Sequence, residues 1–366
     1  MKPLSGIRIV EFDGLGPATF AGMVLADLGA DIVRLTRSAS ADVPVFDQVG
    51  GDVLHRGRTA VPVDLKNATD HARIIDLVSS ADAIIEGFRP GVMERLGLGP
   101  ADLHAGNPRL VIGRVTGWGQ TGPLSSDVGH DINYLALSGA LHALGEPDRP
   151  PRPPLNLLGD YAGGAMMLVA GVLAALLEAR TTGRGRVVDA AMTDGSALLT
   201  SLFHAFRPLG LWSDARGTNL LDGGAPFYRC YLCRDGRYVA VGALEPRFYA
   251  ALVQGLDLEP ATVPQFPPSG WPALHTRFEA IFATRDRDAW AELFEGTEAC
   301  VTPVLDMAEA PRHPHNLARG TFDPGPPLQP APSPRFDGAR AQTAAGMTST
   351  MEAALAAWAL PPKCTA

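Results

Sequence analysis

The chain has 366 residues, of which 46% are hydrophobic and 19% are charged, and its formal net charge is −8. A chain of this size and composition is typical of a globular protein with more than one domain. The negative charge argues against a nucleic-acid partner, because phosphate binding needs a basic face. Four cysteines are too few for a disulfide framework and indicate a reducing compartment.

The first 115 residues alternate between short branched apolar runs and amphipathic segments. The pattern predicts strands at 7–12, 31–35, 61–65, 82–85 and 109–115, with helices at 20–28, 69–79 and 91–96. Successive strand–helix–strand units favour a parallel, Rossmann-like α/β sheet with right-handed crossovers. Gly14 and Gly16 follow the first strand, but the third glycine of a dinucleotide fingerprint is missing, which favours a simple tight turn.

The apolar run from Ala162 to Leu177 is the one candidate for a membrane span. It is shorter than the roughly 20 residues that a span needs, and Asp160 and Glu178 flank it, so we predict a buried core helix and no membrane span. Residues 1–6 have no signal-peptide core, and residues 362–366 carry no peroxisomal or prenylation signal. The expected location is therefore cytoplasmic.

The second half predicts a smaller α+β domain. A hairpin of strands 227–232 and 238–244 is joined through Asp235-Gly236, a type I′ turn signal, and helices follow at 247–255, 272–283 and 286–295. Cys230 and Cys233 are three residues apart on a strand and point to opposite faces, so we expect no metal site there. The predicted organisation is a large domain at 1–190 joined by 332–366, a linker at 191–226, the small domain at 227–314 and a second linker at 315–331.

Three polar residues stand at turns where chemistry is possible. His130 follows Gly129, Asp160 precedes the apolar run, and Glu245 precedes Pro246 at the end of the hairpin. Taken singly, the ordinary interpretations are a structural imidazole, a helix N-cap and a solvated turn residue. Facing each other across a substrate carbon, the imidazole and the Asp160 carboxylate could remove a proton from one side and return one to the other.

Several long motifs in order carry a family resemblance over most of the chain, most clearly from Gly6 to Gly242. They include VLADLGAD at 24–31, EGFRPGVMERLG at 86–97, TGWGQTG at 116–122, GHDINY at 129–134, PLNLLGD at 154–160 and GALEP at 242–246. In these motifs the chain resembles the α-methylacyl-CoA racemases of the family III CoA-transferase superfamily. The resemblance implies an interlocked homodimer in which the large domain of one chain and the small domain of the other enclose each active site.

By the same resemblance, the substrate is a 2-methylacyl-CoA thioester and no cofactor is needed. His130, oriented by Glu245 across the dimer interface, and Asp160 would exchange the α-proton on opposite faces of the substrate. The residues implied to bind CoA or substrate are Arg37, Val63, Asp64, Leu65, Lys66, Gly87, Phe88, Arg89, Pro90, Gly91, Arg95, Gly129, Asp131, Ile132, Asn133 and Tyr134. The segment 38–62 departs from the family pattern.

Two alternatives remain open at this level. In a CoA transferase of the same superfamily, Asp160 would be a nucleophile and form a mixed anhydride. A CoA-thioester-binding protein without turnover is the third interpretation. His130 together with Glu245 favours the racemase, because a transferase has no use for that pair.

Overall fold

The computed structural model describes residues 2–37, 50–340 and 342–359. It divides the chain into two compact units, Met1–Ala140 with Pro154–Thr200 and His315–Ala366, and Leu141–Pro153 with Ser201–Pro314. The boundaries differ from the predicted ones: residues 141–153 join the second unit, while 191–200 and 315–331 belong to the first. The divergent segment lies outside the described residues at positions 38–49.

The first unit contains a seven-stranded sheet in which every neighbouring pair is parallel. Its strands are β1 (Arg8–Phe12), β2 (Asp31–Arg37), β3 (Thr59–Val63), β4 (Ala83–Glu86), β5 (Val111–Thr116), β6 (Val187–Ala191) and β12 (Met347–Thr348). The spatial order is β12-β3-β2-β1-β4-β5-β6. All residues of β4 and β5 are buried, as expected of parallel strands covered on both faces. The predicted fold class is thus confirmed.

Helices cover this sheet and form two hydrophobic clusters. One cluster includes Leu25 and Leu168, and the other includes Ile74 and Trp358. The α-helices of this unit are α1 (Pro17–Asp27), α2 (Gly51–Leu54), α3 (Ala68–Ser79), α4 (Val92–Arg95), α5 (Pro100–Gly106), α6 (Asp131–Ser138), α7 (Met166–Thr182), α8 (Met192–Leu199) and α14 (Met351–Ala359), with α13 (Pro314–Arg319) at the unit boundary. A two-stranded antiparallel pair, β10 (Phe322–Asp323) and β11 (Gln329–Pro330), completes it.

The long apolar helix begins earlier than its sequence suggests. A π-helix at Leu157–Ala165 leads directly into α7, so Asp160 lies inside a helical segment and the N-cap interpretation is wrong. In the part of the chain that the structure describes, Leu157–Thr182 is the one helical stretch long and apolar enough to cross a bilayer by length and composition, which corrects the shorter length expected. It packs against α1, β5 and β6, and half of its most apolar window is buried within the protein. These contacts favour a core helix.

The C-terminal segment returns to the sheet of the first unit. Strand β12 pairs with Thr59 and Ala60 of β3. Helix α14 packs on α3, and the Trp358 Nε1–H donates a hydrogen bond of 2.8 Å to Asp31 Oδ2.

The second unit is built on a three-stranded antiparallel sheet, so the predicted small α+β domain is confirmed as a fold class. Its strands are β7 (Tyr228–Leu232), β8 (Tyr238–Gly242) and β9 (Val301–Pro303), and its α-helices are α9 (Ser201–Phe206), α10 (Pro246–Gly255), α11 (Trp271–Phe282) and α12 (Arg287–Phe294). Large aromatic side chains dominate its core, among them Phe227, Phe278 and Trp290.

The hairpin of the second unit forms, but its turn is not type I′. The Gly236 N–H donates to the Cys233 carbonyl, and the φ angle of Gly236 is 77° while that of Asp235 is not positive. A type I′ turn needs two positive φ angles, and a single left-handed glycine fits a longer turn instead. Cys230 is exposed and Cys233 is buried, so the two thiols lie on opposite sides as predicted.

Candidate active site

The carboxyl edge of the parallel sheet gathers most of the predicted site. The chain runs from β1 to β2 and β3 on one side and then crosses to β4 on the other side of β1. Ligands of open α/β sheets bind at such a switch point, in the crevice outside the carboxyl ends of the strands. The loops after β1 and β4, residues 13–16 and 87–91, flank this crevice.

Asp160 lies next to the loop that follows β1. A β-carbon built on Gly16, whose φ is 76°, would be 3.4 Å from Asp160 Oδ2. The Asn156 side-chain amide donates a hydrogen bond of 3.3 Å to the same oxygen. The Tyr161 ring stacks on Phe20 of α1 at 4.2 Å, which fixes the π-helix against the start of that helix. Asp160 is therefore a half-buried carboxylate held at the switch point.

The surroundings of Asp160 raise the pKa of its carboxyl group. Burial is the largest cause, and the negative charge of Asp131 adds to it. The hydrogen bond from Asn156 and the positive charge of His130 act in the opposite direction. A carboxyl group with a raised pKa can serve as a general acid closer to neutral pH.

His130 is exposed and precedes the first residue of α6. Its backbone N–H donates a hydrogen bond of 3.0 Å to the Asn133 side-chain oxygen. The next residue, Asp131, accepts a hydrogen bond from the Asp160 N–H, and the positive charge of His130 lowers the pKa of the Asp160 carboxyl. The structure thus brings together the imidazole and the carboxyl group that the sequence analysis singled out.

Asp131 connects these two residues. Its Oδ2 accepts a hydrogen bond of 2.7 Å from the backbone N–H of Asp160. A β-carbon on Gly159 would be 2.6 Å from that oxygen, so the preceding residue has to be small. The other carboxylate oxygen, Oδ1, is buried and has no hydrogen-bond partner among the described residues.

Tyr134 is buried behind His130. Its hydroxyl donates to the Gly129 carbonyl, and its ring packs edge-on against Trp118 at 4.8 Å. A β-carbon on Gly117 would be 2.0 Å from the ring. Burial, together with the negative charge of Asp160, raises the pKa of Tyr134 to about 12, so the hydroxyl remains a donor at neutral pH.

Most of the residues predicted to bind CoA lie at the carboxyl ends of three strands of the sheet, β2, β3 and β4. Arg37 ends β2, Val63 ends β3, and the turn at 87–91 follows β4. Arg37, Asp64, Lys66, Gly87, Arg89, Arg95, Ile132 and Asn133 are exposed, while Leu65, Phe88, Pro90, Gly91 and Gly129 are half-buried and Val63 is buried. The cationic side chains of this set are therefore accessible to a phosphorylated ligand.

A buried ion pair shapes the turn after β4. Glu86 accepts hydrogen bonds from Arg114 Nε at 2.7 Å and from the Phe88 N–H at 2.6 Å. The same Arg114 side chain donates to Glu94 of α4 at 2.8 Å. Burial raises the pKa of Glu86, which the two hydrogen bonds and the charge of Arg114 oppose. The start of the loop after β4 is thereby tied to the buried ion pair through the Phe88 N–H.

Glu245 lies in the second unit, where it is exposed and precedes α10. The side-chain amide of Gln265 donates to the Leu244 carbonyl at 2.8 Å and so holds the turn before it. The orientation of His130 by Glu245 across a dimer interface stays a prediction.

Asn156 and Gln265 also hold site groups, and neither was predicted from the sequence. Asn156 stands four positions before Asp160, a spacing that brings side chains together on a helical segment. The signal for Asn156 was thus present in PLNLLGD. Gln265 is far from Glu245 in sequence, and no local pattern could have indicated it.

Fold and site together define an α/β protein with a histidine and a half-buried carboxyl group, linked through Asp131, near the switch point of a parallel sheet. The model of CoA-transferase family III matches residues 4–350, and the chain belongs to that family. It is 45% identical to mouse alpha-methylacyl-CoA racemase over 90% of this chain and 85% of that one, and 45% identical to the human racemase over 87% and 82%. A solved CAIB/BAIF family protein from Brucella suis has the same fold, with a TM-score of 0.81, 24% identity and coverage of 98% and 99%.

Proposed function

We propose that the protein is a racemase that interconverts (R)- and (S)-2-methylacyl-CoA thioesters by two-base 1,1-proton transfer. The observation that carries the proposal is that exposed His130 and half-buried Asp160 are linked through Asp131, which follows His130 and accepts a hydrogen bond from the Asp160 N–H. Burial raises the pKa of the Asp160 carboxyl. The similarity to the mouse and human racemases supports the same substrate class. Membership of the family supports CoA as the carrier of the acyl group.

The proton balance uses one residue on each face of the substrate. Neutral His130 removes the α-proton, and the electron pair of the C–H bond forms an enolate whose charge rests on the thioester oxygen. Protonated Asp160 then gives its proton to the opposite face of the α-carbon. The reverse reaction starts from imidazolium and carboxylate, so neither direction needs an oxidant, a reductant or a metal ion.

The enolate needs hydrogen-bond donors at its oxygen. The backbone N–H groups of Asp131 and Ile132, the first two residues of α6, precede the first bonded N–H of the helix and can supply them, whereas the Asn133 N–H already donates to the His130 carbonyl. The CoA phosphates would bind Arg37, Arg89 and Arg95, whose planar guanidinium groups form paired hydrogen bonds with phosphate. Lys66 adds a further cation at the same edge of the sheet.

The alternative is a CoA transferase with Asp160 as nucleophile, and membership of CoA-transferase family III supports it. Attack of the carboxylate on the thioester would release CoA thiolate and leave an acyl anhydride on Asp160. The presence of His130 next to Asp131, which binds the Asp160 backbone, favours the racemase, because a transferase needs no second proton-transfer group.

One experiment separates the two functions. Each enantiomer of a 2-methylacyl-CoA is incubated with the protein in D₂O, with and without a free carboxylic acid, and the α-position is followed by NMR. Deuterium at the α-carbon without added acid is expected, and Asp160→Asn should abolish inversion. Transfer of CoA to the acid without deuterium uptake would contradict the racemase and support the transferase.

The dimer and the role of Glu245 belong to the same proposal. Glu245→Gln keeps the shape of the side chain and removes its charge, so His130 should become a weaker base and inversion should slow. Sedimentation of the protein should give a dimer. A fully active monomer, or an unchanged pH profile in Glu245→Gln, would contradict this part.

A further inference from the structure

The residues between His130 and the body of α6 hold both proton-transfer groups by their backbones. We infer that the helical turn Asp131–Tyr134 positions His130 and Asp160 at a fixed spacing, and that Asp131, Asn133 and Tyr134 are positioning residues. This inference rests on the proposed function and adds to it a source for the geometry. It also gives these three side chains a task other than contact with CoA.

The peptide bond between Gly129 and His130 is held at both of its polar groups. The Gly129–His130 peptide has its carbonyl bonded by the Tyr134 hydroxyl and its N–H bonded by Asn133 Oδ1, at 3.0 Å. Both polar groups of the peptide immediately before the imidazole are thus held by one turn of one helix. With the peptide fixed, the side chain of His130 can sample only the rotations about its own bonds.

The second observation concerns the opposite acid. Asp131, the first residue of that turn, binds the backbone N–H of Asp160 at 2.7 Å. Its side chain is buried, and the missing β-carbon of Gly159 leaves room for it. The turn therefore contacts the backbone of both proton-transfer residues directly, and a displacement of the turn changes the distance between them.

The third observation is that the turn is itself fixed by packing. Tyr134 is buried between Trp118 and the glycine backbone at positions 117 and 129, where a β-carbon would approach its ring to 2.0 and 2.8 Å. Such contacts allow a single placement of the ring. A displacement of about 1 Å from a reactive geometry can cost about 100-fold in rate, so this support matters for catalysis.

A labelling experiment tests the contacts without relying on activity. The sequence contains one Gly-His dipeptide, at 129–130, so protein with ¹³C-carbonyl glycine and ¹⁵N-histidine gives a single correlation peak for this peptide. Tyr134→Phe should change the ¹³C shift of the Gly129 carbonyl, and Asn133→Ala should change the ¹⁵N shift of His130. Ser138→Ala, which removes a hydrogen bond to the Leu135 carbonyl in the same helix, should move neither. Unchanged peaks in both variants would overturn the inference.

The effect on catalysis is measured as the rates of deuterium exchange and inversion for each enantiomer of the substrate. If His130 is displaced, the enantiomer whose α-proton faces Asp160 still exchanges deuterium with retention, while inversion falls by about 10- to 100-fold. The other enantiomer loses exchange and inversion together. Tyr134→Phe should therefore change the ratio of exchange to inversion and lower kcat with little change in KM, and Asn133→Asp, which keeps an acceptor, should restore more activity than Asn133→Ala.

Each other outcome has a distinct meaning. A purely structural loss would lower the rates of exchange and inversion equally for both enantiomers. A lost CoA contact would raise KM and leave the ratio of exchange to inversion unchanged. Either result would overturn the inference but would leave the proposed racemase function standing. Absence of deuterium uptake in the unaltered protein would instead contradict the proposed function, and the peptide peak would then still decide whether the contacts exist. Thermal unfolding of each variant confirms that it is folded.

Discussion

Breaking the buried Glu11–Arg58 pair is expected to destabilise the first unit strongly. Glu11, in β1, is completely buried, and the Arg58 side chain is 1% exposed. Arg58 Nη1 donates to the carboxylate at 2.6 Å and to the Thr19 carbonyl at 3.1 Å, and two further nitrogens of this guanidinium are buried without a partner among the described residues. Glu11→Gln would leave a buried cation that cannot lose its charge.

The size of the effect follows from this burial. Removing one partner of a buried ion pair costs about 3–5 kcal/mol, because the remaining charge is uncompensated. With a urea m-value of about 3 kcal/mol/M, the unfolding midpoint of Glu11→Gln should fall by roughly 1–1.7 M. Arg58→Met should cost less, since burial raises the pKa of Glu11 and the isolated carboxyl can take up a proton.

The assay is urea unfolding followed by far-UV circular dichroism. The matched control is Glu178→Gln, which breaks the solvent-exposed pair with Arg186 and should leave the midpoint unchanged. A shift of the Glu11→Gln midpoint no larger than that of this control would refute the prediction. The prediction would also fail if Arg58→Met were more damaging than Glu11→Gln.

Two further outcomes are expected at the site. Asp160→Asn should be more stable than the unaltered protein at pH 8, and the difference should shrink towards pH 4. The reason is that the carboxyl pKa of Asp160 is raised in the folded protein. Such a group stabilises the fold below its unfolded pKa of about 3.9, and this contribution is lost as the pH rises through the folded pKa. Urea midpoints at the two pH values check this, and an equal difference at both would contradict it. Gly117→Ala should cost about 1–3 kcal/mol and slow inversion, because its β-carbon would overlap the Tyr134 ring, whereas Gly106→Ala, with open space around it, should do neither in the same unfolding and exchange assays.

The sheet of the first unit could be predicted because its information is local. The predicted strands 82–85 and 109–115 are centred on short apolar runs, at 83–85 and 110–112, and the structure places the fully buried strands β4 and β5 there. Because the pattern of apolar residues reflects which positions are buried, it predicts strands without any knowledge of tertiary contacts. The strand order was not accessible in this way, since it depends on which edges meet.

The π-helix shows where local patterns fail. Leu157–Ala165 looks like a turn before a helix because Gly159, Gly163 and Gly164 weaken helical propensity. The tertiary structure overrides this preference. A β-carbon on Gly163 would be 2.8 Å from Ser196 Oγ of α8, so close packing of α8 on the π-helix requires that glycine.

Part of the candidate site could be predicted from local sequence patterns. His130 and Asp160 stand out as polar residues at glycine-flanked positions, but their proximity became visible only with the fold. The family resemblance supplied the pairing in advance, and it could not supply the bond between Asp131 and the Asp160 backbone. A homodimer and a cytoplasmic location stay predictions.

The return of the chain to the first unit has a consequence for its synthesis. Strand β12 and helix α14 complete that unit, yet residues 201–314 emerge from the ribosome before them. Since synthesis adds about 5–20 residues per second, one edge of β3 remains unpaired for roughly ten seconds. A bare parallel edge is a template for pairing with another chain. Nascent protein therefore exposes this edge to neighbouring chains on a polysome during the interval, and its demand for chaperones should depend on the rate of translation through the second unit.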